Sequence, residues 1–381
     1  MTIAIIRKKY VFHGGAESFS QSLITGLASE GHEIHIFAIE WQTDRTHKNI
    51  FFHKVPVVKF NSLFRDLSFA ISTFLLLKRK RKYFDIIQSH DKTIYQDIYR
   101  AGDGCHVAWL KHRWKRLGFF AKISLILNPY HWLILTLEKI IFKGHRYKKI
   151  IAISEFVKKD ILEHYHVDEN DIEVIYNGID TKIFNFENKN LFRKEIRKQY
   201  STTDSDIVLL FVGSDFNRKG LEFLLKAAEL VLKPVTVYVV GRGPTKKYQK
   251  IVKRQKVIFC GPQKEINKYY AASDIFVFPT IYEPFGNVHL EALASGLPII
   301  TTKFSGAAEI IEDGIQGFVI SSPEDYHAIA EKITFLANNG GLRELMSKNA
   351  IKLAERFSIE KNCEAYLNLY KKVIFQDRVP Y

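Results

Sequence analysis

Two glutamates eight positions apart, Glu283 and Glu291, bracket the stretch "EPFGNVHLE". Pro284 and Gly286 are turn residues, so Glu283 projects from a loop. Asn287 is placed to cap a helix running through "VHLEALAS", which sets Glu291 about one turn inside it. The backbone amides of Phe285, Gly286, Asn287 and Val288 then gather at a helix N-terminus, which favours an anion. Two hydrogen-bond-accepting carboxylates flanking an anion site suit a ligand with hydroxyls on both sides of a phosphate, as in a sugar nucleotide. A capped helix with a surface glutamate is the plainer alternative for the same residues.

A second group lies in "GSDFNRKG", Gly213 to Gly220. Arg218 and Lys219 fall just before a helix start, although cations prefer the other end of a helix. They suit a bound diphosphate whose charge they would neutralise; a solvated basic loop is the alternative. Gly213 opens this loop. Gly241, in "GRGP", follows a later apolar run and marks either a nucleobase wrap or a tight turn. In "FHGGAESF", Gly14 and Gly15 permit close backbone approach before another helix N-terminus. The spacing is not G-x-G-x-x-G, which argues against a dinucleotide-binding dehydrogenase. His90, Asp91 and Asp103, in "SHDKTIYQDIYRAGDGCH", are candidates for orienting an acceptor hydroxyl, or are turn and capping residues.

These loops need elements to hold them. "IAIIR", "EIHIFAI", "FDIIQSH" and "KIIAIS" read as buried strands, and "AESFSQSLITGLASE" as a helix with Phe19, Leu23 and Leu27 on one face. After "IEVIYNGID" comes a charged, less structured stretch, roughly 185–205. The same grammar then restarts with "IVLLFVG", "VTVYVVG", "KVIFCG", "DIFVFPT" and "LPIITT". Short apolar runs separated by helices predict parallel sheets covered on both faces, with ligands beyond the carboxyl ends of the strands. The expectation is two α/β domains facing each other across a cleft, residues 1–180 and 181–356.

The bulk properties fit that frame. The chain has 381 residues, enough for two domains. Its formal net charge of +15 favours an anionic partner: a phosphate-rich ligand, a nucleic acid or an anionic membrane. No named nucleic-acid motif occurs, so nucleic acid is not expected. Three scattered cysteines suggest neither disulfides nor a zinc site, and point to a reducing cytoplasm. The start "MTIAIIRKKY" lacks a signal-peptide pattern. No clean apolar run of membrane-spanning length is present. No Asp-x-Asp element stands out, so neither metal nor cofactor is expected.

Val107 to Leu137 contains no acidic residue. Leu110, Trp114, Leu117 and Ala121 recur at helical spacing beside Lys111, Arg113, Lys115, Arg116 and Lys122. This predicts a basic amphipathic helix on an anionic membrane surface, or else a core helix with a solvated face. A second basic run, "KRKRK" at 78–82, follows the apolar stretch "LSFAISTFLLL".

Together these residues resemble the retaining glycosyltransferases of family 4, which have the GT-B fold of two Rossmann-like domains. "EPFGNVHLE" is similar to that family's Glu-x7-Glu signature, and "GSDFNRKG" to its diphosphate-binding loop. The resemblance implies that Glu283 contacts the donor sugar and Glu291 the ribose. Arg218 and Lys219 would hold the diphosphate, Gly15 would approach it from the first domain, and 357–381 would pack back on that domain. "DIYRAGDGCH" and "NPYHWLILTLEKIIF" further resemble the lipopolysaccharide core glucosyltransferase I branch. That implies glucose transfer from UDP-glucose to a lipid-linked glycan acceptor, with Asp103 near the transferring sugar and the enzyme peripheral on the inner face of the cytoplasmic membrane. Other donors, GDP-mannose or a UDP-N-acetylhexosamine, and capsule or other surface-polysaccharide acceptors stay open. So does a basic nucleotide- or nucleic-acid-binding module of another class.

Overall fold

The computed structural model describes residues 1–10, 15–42 and 47–378. The chain divides into two compact units, Met1–Asn177 with Ile359–Tyr381, and Gly178–Ser358.

Unit one is a parallel sheet with helices. Its strands are β1 (Thr2–Ile6), β2 (Lys9–Tyr10), β3 (Glu33–Ala38), β4 (Glu40–Trp41), β5 (Ile50–Lys54), β6 (Ile86–Ser89), β7 (Ile98–Ala101), β8 (Lys149–Ala152) and β9 (Ile172–Val174). Seven of them form one sheet in the order β5-β3-β1-β6-β7-β8-β9, and β2 pairs with β4. Its helices are α1 (Gly15–Ser29), α2 (Ser62–Lys80), α3 (His106–Trp114), α4 (Phe119–Leu127), α5 (Pro129–Phe142) and α6 (Glu155–Tyr165). The predicted strands are present; β5, β7 and the β2–β4 pair are additional. The apolar face Phe19, Leu23 and Leu27 of α1 is buried against Ile3, Ile5, Ile34 and Ile36.

The stretch 107–137 is not one helix. It is divided among α3, α4 and α5, with a turn at Lys115–Gly118. Gly118 is extended and starts α4 afresh. Asn128 then caps α5 through Tyr130 N–H, with Pro129 at the first helical position. The predicted stripe from Leu110 to Ala121 is therefore broken in the middle.

Unit two repeats the grammar. Strands β10 (Ile207–Val212), β11 (Val235–Val240), β12 (Lys256–Gly261), β13 (Ile275–Phe278), β14 (Ile299–Thr302) and β15 (Gly317–Ile320) form a parallel sheet in the order β12-β11-β10-β13-β14-β15. All residues of β10 and β11 are buried, as expected when helices cover both faces. The helices are α7 (Asn188–Gln199), α8 (Leu221–Leu230), α9 (Lys246–Gln249), α10 (Asn267–Ala272), α11 (Asn287–Ala294), α12 (Tyr326–Asn338) and α13 (Gly340–Ala354).

Helix α7 occupies the stretch expected to be less structured. Its docking side is ionic. Arg197 is buried and donates to Asp274 Oδ2 at 2.7 Å and to Ala272 O at 2.9 Å, while Arg193 donates to Asp274 Oδ1 at 2.7 Å. Ile196 is the one apolar residue buried with them. The last helix, α14 (Ile359–Arg378), packs on α1 in unit one, where Cys363, Tyr366, Tyr370 and Val373 join the core.

Candidate active site

In both sheets the strand order reverses beside the first strand: between β1 and β6 in unit one, and between β10 and β13 in unit two. Such switch points open a crevice at the carboxyl ends of the strands. The loop after β10 carries Arg218 and Lys219, and the loop after β13 carries Glu283. Parallel register, with Leu209 opposite Ile275 and Leu210 opposite Phe276, brings the two loops side by side.

They are knitted together by backbone and side chain. Ile281 N–H donates to Arg218 O at 2.9 Å, and Thr280 Oγ1 donates to the same carbonyl at 3.0 Å. Arg218 Nη1 donates to Glu283 Oε2 at 2.9 Å and to Tyr282 O at 3.0 Å. Lys219 Nζ donates to the same Glu283 oxygen at 3.1 Å. Gly213 makes this reach possible. A Cβ there would collide with Lys219 Cδ, and its φ of +154° is unfavourable for an L side chain. Lys219 Nζ also lies 5.0 Å from the centroid of the Phe278 ring. Gly241, at the end of β11, packs against the Gly213 carbonyl.

Burial alone would raise the Glu283 carboxyl, but Lys219 and Arg218 override it and hold the group down at about 2. Burial likewise opposes the charge on Arg218, and Glu283 and Asp215 reverse that, raising its pKa. The site thus carries two cations sharing one carboxylate.

Beyond Glu283 the chain turns into α11. Gly286, at φ +90°, is the N-cap, and no side chain among the described residues caps the terminus. Asn287 is the first helical residue rather than the cap, a correction to the sequence expectation. The left-handed conformation at Gly286 starts the helix one residue earlier than a polar cap would. Phe285 and Val288 are buried, so they serve this terminus through the backbone. The uncapped first turn leaves N–H groups without intrahelical acceptors, which suits an anion.

Glu291 lies one turn further and is buried. Its Oε2 accepts from Tyr270 O–H at 2.8 Å. Burial pushes its carboxyl up to about 7, against Tyr270 and Lys219. Two residues absent from the sequence reading shape this corner. Tyr270 holds Glu291, and His289 ties Gly286 O to Thr301 through Nδ1 at 2.9 Å and Nε2 at 2.8 Å. Burial lowers the His289 ring to about 4, so it is neutral at pH 7. His289 sat visibly within the glutamate stretch; for Tyr270 no local signal existed.

The remaining candidates belong to unit one. Gly15 begins α1, and Gly14 lies outside the described residues. His90 is buried, its Nε2 2.6 Å from Gln88 Nε2 and its Nδ1 3.5 Å from Ser20 Oγ. Burial and the nearby Arg100 and Arg7 push its pKa well down. Asp91 receives Lys8 N–H at 2.7 Å and pairs with Lys8 Nζ at 3.3 Å. Asp103 sits in the exposed turn after β7, between Gly102 and Gly104. Of the three, His90 and Asp91 are engaged by Gln88 and Lys8, and Asp103 is exposed, with its charge acting on the buried Lys92.

Comparison with known proteins follows the same division. Residues 13–183 match Glycosyltransferase Family 4, and residues 192–353 match Glycosyl transferases group 1. The chain is 27% identical to the capsular polysaccharide biosynthesis glycosyltransferase CapM of Staphylococcus aureus, over 96% of this chain and 97% of CapM. It is 24% identical to the lipopolysaccharide glucosyltransferase WaaG of Escherichia coli K12, over 92% and 93%. Among solved structures, WaaG superposes with a TM-score of 0.82 at 22% identity, covering 97% of this chain and 99% of the other. Anabaena HepE in complex with UDP-glucose gives 0.70 at 18% identity, covering 97% and 100%. Matched through both halves and sharing this two-unit fold, the chain belongs to the family 4 glycosyltransferases of GT-B type.

Proposed function

We propose that the enzyme moves a hexose, glucose from UDP-glucose, onto a lipid-linked glycan acceptor such as the lipopolysaccharide inner core, with retention at the anomeric carbon. The observation that carries this reading is the shared Glu283 oxygen, 2.9 Å from Arg218 and 3.1 Å from Lys219, beside the uncapped start of α11. In the proposed reaction the diphosphate takes the two cations and the helix terminus. Glu283 is then released to the sugar hydroxyls, and Glu291 accepts from the ribose. The acceptor oxygen attacks the anomeric carbon on the face that the diphosphate leaves. The new glycosidic bond forms as the sugar–phosphate bond breaks, and the acceptor proton passes to the departing phosphate. Arg218 and Lys219 stabilise the charge that develops there, a role that needs no divalent metal. Asp103 is assigned to the acceptor side.

The similarity to WaaG, named as a lipopolysaccharide glucosyltransferase, supports glucose and this acceptor class. The similarity to CapM favours a second reading, in which another nucleotide sugar serves capsule synthesis. A membrane-bound acceptor must be met at its surface, and we place the contact at 107–137, on the inner face of the cytoplasmic membrane. Helix α4 has no buried residue, and Phe119, Phe120, Leu127 and Trp132 are exposed, as are Lys111, Arg113, Lys115 and Arg116. Among the described residues no helix is long and apolar enough to cross a membrane.

The test is a panel of UDP-, GDP- and ADP-sugars, scored by thermal stabilisation and by nucleoside diphosphate release, with nicotinamide cofactors and DNA as controls. UDP-glucose should lead both scores. Preference for a GDP-sugar or UDP-N-acetylhexosamine would move the assignment to the second reading. A response to DNA alone would overturn both.

A further inference from the structure

Helix α2 has two apolar faces, and unit one uses only one of them. Asp66, Phe69, Ala70, Thr73 and Leu77 are buried. Phe69 and Leu77 pack in a core with Ala4, Ile6, Phe37 and Ile87, which seats the helix on the sheet. The opposite face of such a helix is expected to be polar. Here it carries Phe64 (45% exposed), Leu67 (36%), Ile71 (47%) and Leu75 (59%), at spacings of three and four residues. Phe60, 82% exposed, prolongs the stripe and meets Phe64 with ring centroids 5.9 Å apart. From Phe64 to Leu75 the stripe runs roughly 16 Å along the helix. A contiguous exposed apolar strip of this kind marks an interaction surface.

The charge around it selects the partner. Residues 57–83 hold seven cations, Lys59, Arg65, Lys78, Arg79, Lys80, Arg81 and Lys82, and one carboxylate. That carboxylate, Asp66, is buried and paired with Lys8 and Arg65 at 2.9 and 2.8 Å. Arg81 is committed to Asp97. Lys59, Lys78, Arg79 and Lys82 are exposed at the two ends of the stripe. An apolar strip with cations at its ends fits a bilayer interface carrying anionic headgroups.

The stripe adjoins the region already proposed to meet a membrane. Tyr130, at the start of α5, donates its O–H to Asp66 at 3.0 Å, and α2 packs on α5. Trp132 of α5 donates to Ile126 O of α4 at 2.7 Å. The two exposed apolar sets are thus tied together through Asp66–Tyr130 and Trp132–Ile126.

We infer that the outer face of α2 is a second membrane-docking element, inserting Phe60, Phe64, Ile71 and Leu75 among anionic lipids while the basic run at 78–82 engages headgroups. This rests on the reading that the acceptor is lipid-linked. One docking helix lets a bound unit roll about its axis; two elements bridged by α5 fix its orientation on the surface.

The test uses the full chain and vesicles of phosphatidylethanolamine and phosphatidylglycerol at about 3:1, with phosphatidylcholine vesicles as the neutral control. Compared are the wild type, a quadruple Phe60→Ser, Phe64→Ser, Ile71→Ser, Leu75→Ser variant, a Phe119→Ser, Phe120→Ser variant, and a Lys78→Gln, Arg79→Gln, Lys82→Gln variant. The quadruple variant should lose at least tenfold in partitioning to anionic vesicles, while keeping the wild-type melting temperature and donor hydrolysis. The glutamine variant should lose severalfold, with a flatter salt dependence. A photo-crosslinking side chain at Ile71 should capture lipid. Wild-type partitioning by the quadruple variant, with loss in the Phe119/Phe120 variant, would confine docking to α4 and overturn this inference alone. Capture of a second copy at Ile71, with a change of oligomeric state in the quadruple variant, would overturn it in favour of self-association. Absence of wild-type binding to any vesicle would remove the membrane reading itself.

Discussion

Replacing Glu283 by Gln separates the two uses of this site. The Glu283 carboxylate neutralises Arg218 and Lys219, at 2.9 and 3.1 Å. Its displacement from the usual 4.5 to about 2 corresponds to roughly 3 kcal/mol of interaction with its surroundings. The side chains of Glu283 and Lys219 are only 13% and 14% exposed, so solvent screening removes little of this. An arriving diphosphate must compete with that carboxylate. Gln removes the competitor, and Arg218 keeps the exposed Asp215 at 3.4 Å and the Tyr282 carbonyl at 3.0 Å. If half of the interaction is recovered, UDP affinity rises about tenfold. Turnover of the sugar donor should nevertheless fall by about 10²–10³, the loss typical of one preorganised electrostatic group. Stability moves the other way. Two largely buried cations lose the carboxylate they share, so the melting temperature of this unit drops by several degrees, at about 2–4 °C per kcal/mol for a unit of this size. Excess UDP should restore it. The sign with pH follows from the lowered carboxyl: its stabilisation is present above about pH 4.5 and is lost as pH falls towards 2. The gap between wild type and variant therefore closes in acid. Titration calorimetry with UDP and steady-state donor hydrolysis measure both arms. Unchanged or weaker UDP binding in a folded Glu283→Gln variant would refute the argument that Glu283 occupies the diphosphate's place.

Lys219→Ala should reduce turnover by about 2.7–4 kcal/mol in activation free energy, with its melting temperature measured alongside; full activity would remove Lys219 from the mechanism. Glu291, raised to about 7 by burial, contributes stability that is fully present below about pH 4.5 and is lost as pH rises through 7. Glu291→Gln should thus gain on the wild type by up to about 3 kcal/mol at pH 8 and little at pH 4.5, read from denaturant melts. Wild-type affinity for UDP-glucose, whose diphosphate does not titrate in this range, should climb across pH 6–8 as this acceptor ionises, and the Gln variant should stay flat. Donor turnover should survive excess chelator; complete loss, with recovery on magnesium or manganese, would show that Arg218 and Lys219 do not carry the charge alone. Replacing Lys111, Arg113, Lys115 and Arg116 together by Gln should weaken binding to anionic vesicles and flatten its salt dependence, whereas unaltered binding would exclude electrostatic docking there.

Local patterns determined what could be read from the chain alone. Buried parallel strands such as "IVLLFV" and "VTVYVV" are apolar on both faces, so they stand out without any partner. The turn residues after them mark where ligand-facing loops begin. Pro284, Gly286 and the following helix made Glu283 and Glu291 legible because their spacing is set within one loop and one helical turn. Arg218 and Lys219 were conspicuous because cations at a helix start need another reason to be there. Tertiary structure decided the rest. Lys219 and Glu283 are 64 residues apart and meet only because β10 and β13 are neighbours at the reversal of strand order. Tyr270, from α10, reaches Glu291 for the same kind of reason. Helix α7 was hidden because it docks largely through Arg193 and Arg197 onto Asp274, with Ile196 its one buried apolar residue. His90 and Asp91 have the residue types of an acceptor site, and only packing shows that Gln88 and Lys8 are their neighbours. On α2 the sequence shows apolar residues all round. Only the placement of the sheet distinguishes the face that is buried from the face left open, because periodicity records side-chain chemistry and not which side a neighbour will cover.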